Sequence, residues 1–348
     1  MVSPSHPTGR PWLRARTPAD LVAAVPYLIG FHPYDSVVLV GFAGPQVVFT
    51  SRGDLPLSGY ADEQRQAARL LAGIAERQPI DDVVLIGYGP SFHVDPMILE
   101  LTIALEEYGI ALRDAYRVSG GRLWTYFCER PECCPADGVP CDVASSPVAA
   151  AATVEGLVAL PDRAAFEALV EPDESATGDE MAFATERAEA RLRQAFESDD
   201  VAGARRLLAV RGERLLDDAV TRYADGRRLD DDEAAWVSVL FLFTDFATAV
   251  WARMVTLPVE PYLPIWRDLV RRVQPDLCGP IATLLAYGAW RTGDGALAGL
   301  AVQRALRESP GYEPARVLQV LLHSGVGPAE VTRELLARRI GRDGSSPA

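Results

Sequence analysis

Residues 36–51, SVVLVGFAGPQVVFTS, decide the fold of the N-terminal half of the chain. Residues 36–42 form a largely apolar run of strand length, and Ala43-Gly44-Pro45 leads into a second run at 46–51. Two such runs around a short Gly-Pro turn predict a β-hairpin. Because the first run is apolar at consecutive positions, we expect it to need cover on both faces of the sheet.

The residues on either side of this hairpin predict helices and more strands. Thr17-Pro18-Ala19-Asp20 is typical of a helix start, since Thr caps, Pro fits the first turn and an acid favours the N-terminus. Pro26 is expected to kink or end this helix, and Gly30 ends it at the latest. Helical spacing continues at 61–77, 96–108 and 162–170, and strand runs occur at 82–88, 112–118 and 122–127, the last two around Ser119-Gly120-Gly121. This pattern predicts an α/β N-terminal domain with a mixed sheet.

Strand signals stop after an acidic segment that contains Gly, Ser and Pro. The predicted organisation is an α/β domain at 1–170, a linker at 171–180, an all-helical tetratricopeptide-like domain at 181–340 and a disordered tail at 341–348. Helical spacing is found at 181–196, 201–223, 231–254, 261–273, 276–291, 294–308, 312–324 and 327–339. One unit follows the small-residue spacing of a tetratricopeptide repeat, at Ala286, Gly293, Asp294, Ala298, Ala305, Leu306 and Pro310.

Composition excludes several classes of protein. The 48 acidic and 34 basic residues give a net charge of -14, which argues against a nucleic-acid partner. Residues 1–10 lack the apolar core of a signal peptide, and the apolar stretch 236–243 is far shorter than a membrane span. Five cysteines are too few for a secreted disulfide framework. We therefore expect a cytoplasmic protein that binds no membrane.

Polar residues follow two predicted strands and form the first candidate site. Arg52 and Asp54 follow one strand, and Tyr88, His93 and Asp95 follow another. If those strands are parallel neighbours, these residues share a rim where Arg52 could hold a carboxylate or phosphate. The favoured alternative is a surface Arg52–Asp54 pair beside an ordinary glycine turn.

The glycine pattern and the absence of lysine argue against two common nucleotide-binding motifs. A phosphate-binding loop needs a lysine, and the chain has none; Gly87-x-Gly89 also lacks the third glycine of a dinucleotide fingerprint. We therefore predict no cofactor.

A second candidate precedes the first strand. His32, Asp35 and Ser36 are residue types used in nucleophilic catalysis. They stand at the start of a strand, however, whereas ligand sites in open α/β sheets favour the carboxyl ends. No Gly-x-Ser-x-Gly elbow is present either. We favour a turn in which Asp35 or Ser36 bonds local backbone amides.

Four cysteines within fourteen residues form the third candidate. Cys128, Cys133, Cys134 and Cys141 are interpreted as structural or reversibly bonded thiols, with zinc binding and redox sensing as the alternatives. The spacing is not that of two Cys-x₂-Cys knuckles, and adjacent cysteines do not easily point at one centre. We therefore expect no stoichiometric metal.

Several motifs together resemble a known family. The resemblance is to the bacterial domain-of-unknown-function family 4192, and it lies in residues 17–21, 30–38, 52–56, 133–135, 145–149 and 289–296. The family looks typical of high-GC bacteria, which agrees with the absence of Lys and Asn and the abundance of Arg and Ala. The resemblance implies no activity and no catalytic residue.

The sequence predicts a binding function. We expect a module that binds a protein partner along the helical domain or a small ligand at the sheet rim. The alternative is a hydrolase or transferase that uses the loops 51–54 and 87–95, for which an acid–base pair must converge in a concave site.

Overall fold

The computed structural model describes residues 15–56, 61–128, 130–143, 145–173, 178–197, 200–328 and 330–331. These residues form two compact units. The first holds the described residues up to Phe166 together with His323–Val326, and the second starts at Glu167. Within the second unit, Glu171 forms ion pairs with Arg304 and Arg307. The linker expected at 171–180 stays a prediction, and the expected tail at 341–348 lies outside the described residues.

The first helix, α1 (Pro18–Ile29), begins and ends where the sequence predicts. Thr17 accepts a hydrogen bond from the Asp20 amide, and the Asp20 carboxylate accepts one from the Thr17 amide, which completes a capping box. Pro26 lies inside the helix without ending it. Gly30 ends it with φ 89°, a left-handed conformation that favours glycine.

The strands of the first unit form one mixed sheet, as predicted. Its order among the described residues is β2-β1-β3-β4-β5-β6. Neighbouring strands are antiparallel except for the parallel pair β3 and β4. The strands are β1 (Ser36–Ala43), β2 (Gln46–Asp54), β3 (Asp82–Tyr88), β4 (Ala111–Ser119), β5 (Arg122–Thr125) and β6 (Val139–Pro140).

Both predicted hairpins are present. Ala43 pairs with Gln46 across the first turn, where Gly44 has φ 57°. Ser119 pairs with Arg122 across the second, where Gly120 and Gly121 both have positive φ. Two consecutive residues with positive φ are the signature of a type I′ turn, which suits the twist of a hairpin.

Both faces of the central strands are buried, because apolar side chains alternate between them. On one face, Val37, Leu39 and Leu85 pack against α2 (Ala61–Glu76) and α3 (Ser91–Glu107). The alternate side chains, such as Val38 and Ile86, are fully buried on the opposite face. Helix α1 contacts β2 and packs on α4 (Pro147–Val154), a helix that the spacing did not predict.

Helices make up the second unit, as predicted. A short helix, α5 (Arg163–Glu167), spans the boundary between the units. The helices that follow are α6 (Asp179–Ala195), α7 (Val201–Ala224), α8 (Asp231–Leu240), α9 (Thr244–Thr256), α10 (Leu263–Arg272), α11 (Pro275–Arg291), α12 (Gly295–Glu308) and α13 (Glu313–His323). Most of the helix predicted at 327–339 lies outside the described residues.

The single helix predicted at 231–254 is wrong, because the chain bends by 97° between α8 and α9. The bend brings the Phe241 ring edge-on to Phe246, with centroids 5.1 Å apart, and to Trp266, at 6.1 Å. Aromatic packing in the core thus favours two helices over one. No single helix of the described part of the chain is long and apolar enough to cross a membrane; α8 and α9 reach that length only across their bend.

Candidate functional site

The strand order brings two of the sequence candidates to one edge of the sheet. Strand β1 lies between β2 and β3 and is antiparallel to both, so β2 and β3 end where β1 begins. Ser36 therefore pairs with Asp54 on one side and with Tyr88 on the other. The rim candidate required β2 and β3 to be parallel neighbours. They run parallel but are separated by β1, and their carboxyl ends still share this edge. We call the row Asp54–Ser36–Tyr88, with Asp35 and Arg52 beside it, the sheet-edge site.

Asp54 is the electrostatic centre of the exposed side of this site. Its carboxylate accepts a hydrogen bond of 2.7 Å from Arg52 Nη2 and two, of 2.9 and 2.7 Å, from Arg163 Nη1. Partial burial raises the pKa of Asp54, but the hydrogen bond from Arg163 and the charge of Arg52 outweigh it and hold this pKa below its ordinary value. Asp54 is therefore ionised at neutral pH, and two guanidinium groups share one carboxylate.

Arg163 is a site residue that the sequence did not reveal. It lies on α5, 109 positions from Asp54 in the chain, and nothing local marks it as a partner. The guanidinium of Arg52 also lies 5.5 Å from the centre of the Phe31 ring, a cation–π contact that helps to orient it.

Four buried polar atoms at this edge have no hydrogen-bond partner within the described structure. They are Asp35 Oδ1, Ser36 Oγ, Arg52 Nε and Tyr88 OH. Ser36 is fully buried, and burial raises the pKa of Tyr88, so its hydroxyl stays protonated and can donate. Buried polar atoms are nearly always hydrogen-bonded, because leaving one unpaired costs about 1–3 kcal/mol. The sheet-edge site therefore concentrates hydrogen-bonding capacity that the protein itself leaves unused.

Two glycines and one strained residue shape the same edge. Asp35 has φ 40°, which is uncommon for a residue other than glycine. A Cβ on Gly89, whose φ is 142°, would lie 3.0 Å from Asp35 Oδ1. A Cβ on Gly87 would lie only 2.1 Å from Val94 Cγ1. Gly87 thus lets α3 pack closely on β3, while Gly89 leaves room for the Asp35 carboxylate.

The remaining rim candidates have other surroundings. His93 is half-buried on α3, and its ring packs on Phe92 with centroids 4.3 Å apart. Asp95 accepts a hydrogen bond of 2.5 Å from Tyr126 OH and lies 3.9 Å from Arg117 Nε. Arg117 in turn stacks over Trp124 at 3.7 Å. This second polar group thus joins α3 to β4 and to the residues around β5.

The Ser–His pairing that the disfavoured catalytic alternative requires does not form between His32 and Ser36. His32 is exposed, whereas Ser36 is fully buried and its Oγ makes no hydrogen bond. A serine nucleophile needs a base within hydrogen-bond reach. The geometry of the sheet-edge site therefore suits binding better than nucleophilic attack by Ser36.

Three of the four clustered cysteines converge. The sulfurs of Cys128, Cys133 and Cys134, which we call the thiol cluster, all lie within 4.8 Å of one another. Cys128 and Cys133 are 3.2 Å apart, and Cys133 and Cys134 are 3.7 Å apart. Cys141 is buried and does not belong to this group. The expectation that adjacent cysteines do not easily point at one centre is wrong for Cys133 and Cys134.

The thiols of this cluster differ in acidity. Hydrogen bonds from the Cys134 thiol, from the backbone of Arg130 and from the Cys133 thiol lower the pKa of Cys128 to about 7. The same contact with Cys128, together with burial, raises the pKa of Cys134 to about 12. Cys128 is therefore the first of these two thiols to ionise, and the Arg130 side chain is its hydrogen-bonded cation.

Comparison with known proteins supports the family resemblance found in the sequence. The model of one family, described as Domain of unknown function (DUF4192), matches residues 18–329. No curated protein and no solved structure shows a significant match to the chain. The match runs through both compact units, so one family model covers the α/β unit and the helical unit.

Proposed function

Because the chain belongs to the domain-of-unknown-function family DUF4192, whose description names no activity, we propose its function from the geometry of the sheet-edge site. The proposed function is the binding of a small polar molecule at this edge. We also propose three features that the sequence predicts: a cytoplasmic location, a tetratricopeptide-like arrangement of the second unit and a protein partner on that unit.

The observation that carries the proposal is the concentration of unpaired polar atoms. Nine buried side-chain polar atoms have no hydrogen-bond partner in the described part of the chain, and four of them belong to the sheet-edge site. Ser36, Arg52 and Tyr88 lie on the adjacent strands β1, β2 and β3, and Asp35 is the residue just before β1. Such a concentration favours a non-protein partner, since scattered packing defects would not select one edge of one sheet.

The chemistry of these atoms defines the class of ligand. Asp35 Oδ1 is able to accept a hydrogen bond, Arg52 Nε is able to donate one, and the Ser36 and Tyr88 hydroxyls are able to do either. The two guanidinium groups at Asp54 already share its carboxylate, so these three groups together carry a single net positive charge. A compact molecule with both donors and acceptors, such as a hydroxy acid, an amino acid or a sugar, fits this set better than a multiply charged phosphate.

The hydrolase or transferase alternative has less support. Of the polar groups at this edge, the ones that could act as base are Asp35 and Asp54, and Asp54 is occupied by Arg52 and Arg163. Ser36 Oγ has no partner that could take its proton. Binding is therefore the function that the geometry supports best.

Native mass spectrometry of the full chain with a panel of amino acids, hydroxy acids and sugars tests the proposal. We expect at least one compound to bind, and Ser36→Ala or Tyr88→Phe to weaken that binding about 2–10-fold, because each removes one hydrogen bond of about 0.5–1.5 kcal/mol. Tyr116→Phe is the matched control: it removes a buried phenol of the same sheet whose hydroxyl bonds Asp114.

Two results would contradict the proposal. One is that no compound of the panel, and none from a bacterial metabolite extract, binds to the wild-type chain. The other is equal weakening by Tyr88→Phe and Tyr116→Phe, because a general loss of stability and not a lost ligand contact would explain it.

The helical unit carries a separate structural proposal. Ala286 on α11 and Ala298 and Ala305 on α12 are all fully buried, as expected where two helices of a tetratricopeptide unit touch. Asp294 caps α12 by accepting a hydrogen bond from the Leu297 amide at 3.1 Å. These contacts support a repeat-like helix pair, on which a protein partner could dock.

A further inference from the structure

We propose that Cys128, Cys133 and Cys134 form a three-thiolate site for a thiophilic divalent cation of the Zn²⁺ class. This site is separate from the sheet-edge site, and neither proposal depends on the other. The proposal reverses our expectation from the sequence, which rested on the geometry of adjacent cysteines and on the absence of Cys-x₂-Cys knuckles.

The size of the sulfur triangle supports a metal. Zinc binds thiolates at about 2.3 Å, so two sulfurs on one tetrahedral ion lie about 3.8 Å apart. The distance from Cys133 to Cys134 is 3.7 Å and that from Cys128 to Cys133 is 3.2 Å, and all three sulfurs lie within 4.8 Å of one another. Changes of about 1 Å or less in the sulfur–sulfur distances bring this triangle to the geometry of a bound ion.

The backbone explains how two adjacent cysteines reach the same point. The carbonyl of Arg130 accepts hydrogen bonds from the amides of Cys133, at 3.2 Å, and Cys134, at 2.8 Å. Residues 131–133 therefore form a turn and not an extended strand, in which successive side chains would point to opposite sides. In the turn, both thiols face Cys128.

Contacts with β5 fix the return of this loop to the sheet. Arg122 on β5 donates to the Asp137 carboxylate at 2.6 Å and to the Gly138 carbonyl at 2.9 Å, and Trp124 Nε1 donates to the Ala136 carbonyl at 3.1 Å. Gly138 lies against the Trp124 indole so closely that a Cβ would come within 2.6 Å of Cε2. A loop held in this way has already lost much of the chain entropy that metal binding would otherwise cost.

Charge and exposure favour the same site. Three thiolates exceed the charge of one divalent ion by a single unit, and the Arg130 guanidinium hydrogen-bonds the Cys128 sulfur. Cys133 is exposed and the other two thiols are half-buried, so a fourth ligand can come from solvent. Three protein ligands with one open position are typical of reactive zinc sites, whereas structural sites are closed by four.

A disulfide is the competing explanation for the same sulfurs. It would join Cys128 to Cys133, release two protons and two electrons to an oxidant such as hydrogen peroxide, and leave Cys134 without a role. A two-sulfur bond needs no third sulfur within contact distance, whereas a metal uses all three. The convergence of three thiols therefore favours the ion.

Metal analysis of the full-length protein tests the site. The chain is produced in zinc-supplemented medium, purified without chelators and analysed by inductively coupled plasma mass spectrometry. We expect about one zinc per chain in the wild type and in Cys141→Ala, the matched control from the same region outside the cluster. Cys128→Ser and Cys133→Ser should lower the zinc content about tenfold or more, with an unchanged circular dichroism spectrum.

Cobalt provides a second readout that does not depend on how the variants fold. Reduced, chelator-treated wild-type protein titrated with Co²⁺ should develop the near-ultraviolet thiolate-to-metal charge-transfer band, saturating at one equivalent. Absence of this band in fully reduced protein would overturn the proposal. So would a purified wild-type chain whose mass is two hydrogens low and recovers with reductant, or a zinc content that Cys128→Ser leaves unchanged.

Discussion

Replacement of Gly87 by alanine tests how closely α3 packs on the central strand. The new Cβ would lie 2.1 Å from Val94 Cγ1, 3.3 Å from its Cβ and 3.4 Å from its Cγ2. Val94 is fully buried, so its side chain cannot swing into solvent. Overpacking of this kind costs about 1–3 kcal/mol, and the entropy gained by replacing a strand glycine recovers about 0.4–1 kcal/mol. We expect Gly87→Ala to lower the free energy of unfolding by about 1–2 kcal/mol.

A second substitution, at Val94, should relieve the clash with the new Cβ at position 87. Val94→Ala alone should cost about 2 kcal/mol, from two lost methyl groups and the cavity that they leave. In the double variant the methyl group added at position 87 fills part of that cavity. The double variant should therefore be about 1–2 kcal/mol more stable than the sum of the single effects predicts.

Hydrogen exchange of the β3 amides, followed by mass spectrometry at increasing urea, measures this free energy within the first unit. Gly299→Ala is the control: this α12 glycine has open space around its would-be Cβ, and exchange of the α12 amides in the same experiment should report a stabilisation of about 0.5–1 kcal/mol. A neutral Gly87→Ala, or additive effects in the double variant, would refute the close packing of α3 on β3.

Four further predictions follow from single contacts. In thermal unfolding of the ligand-free protein, Tyr88→Phe should leave the stability unchanged or raise it by about 1 kcal/mol, because it removes a buried hydroxyl that has no partner. A clear loss of stability would show that the Tyr88 hydroxyl forms a hydrogen bond within the protein. Ala298→Trp should destabilise the helical unit by about 1–3 kcal/mol or more, and an unchanged melting temperature would mean that the α11–α12 pair is not closely packed. Arg272→Leu should lower the free energy of unfolding in urea by about 3–5 kcal/mol, since the Arg272 side chain is only 3% exposed and pairs with two carboxylates. The control, Arg187→Leu, removes an exposed ion pair and should lower it by less than about 1 kcal/mol. Equal effects of the two substitutions would contradict the importance of the buried pairs. In metal-free protein, alkylation of Cys128 by iodoacetamide should reach half its maximal rate near pH 7, because hydrogen bonds with Cys134, the Arg130 backbone and Cys133 lower the pKa of Cys128 to about 7. A midpoint near pH 9 would show an unperturbed thiol.

Local signals in the sequence predicted most of the elements. Thr17, Asp20 and Gly30 delimit α1 because capping and left-handed backbone depend on residues within one turn. The Gly120-Gly121 turn likewise depends only on two adjacent φ angles. The bend between α8 and α9 is not predicted because the contact that accompanies it, of Phe241 with Trp266, joins residues remote in sequence.

The sheet-edge site shows where sequence reasoning failed. Ser36 was disfavoured because it begins a strand, an argument that holds for parallel sheets. In this sheet β1 runs antiparallel to β2 and β3, so its first residue meets their last ones. The predicted hairpin specifies the pairing of β1 with β2, but no local pattern places β3 on the other side of β1 or links Arg163 to Asp54. For the cysteines, the hydrogen bonds to the Arg130 carbonyl decide where the thiols point, and the spacing alone does not show them.

A crystal structure of the protein with the compound selected by native mass spectrometry tests whether the sheet-edge site binds a small polar molecule. We expect an atom of that compound to lie within hydrogen-bond distance of Ser36 Oγ or Tyr88 OH, and Asp54 to keep its pairing with Arg163. A compound bound away from the sheet-edge site, with both hydroxyls bonded to protein atoms, would show that this site is not the binding site.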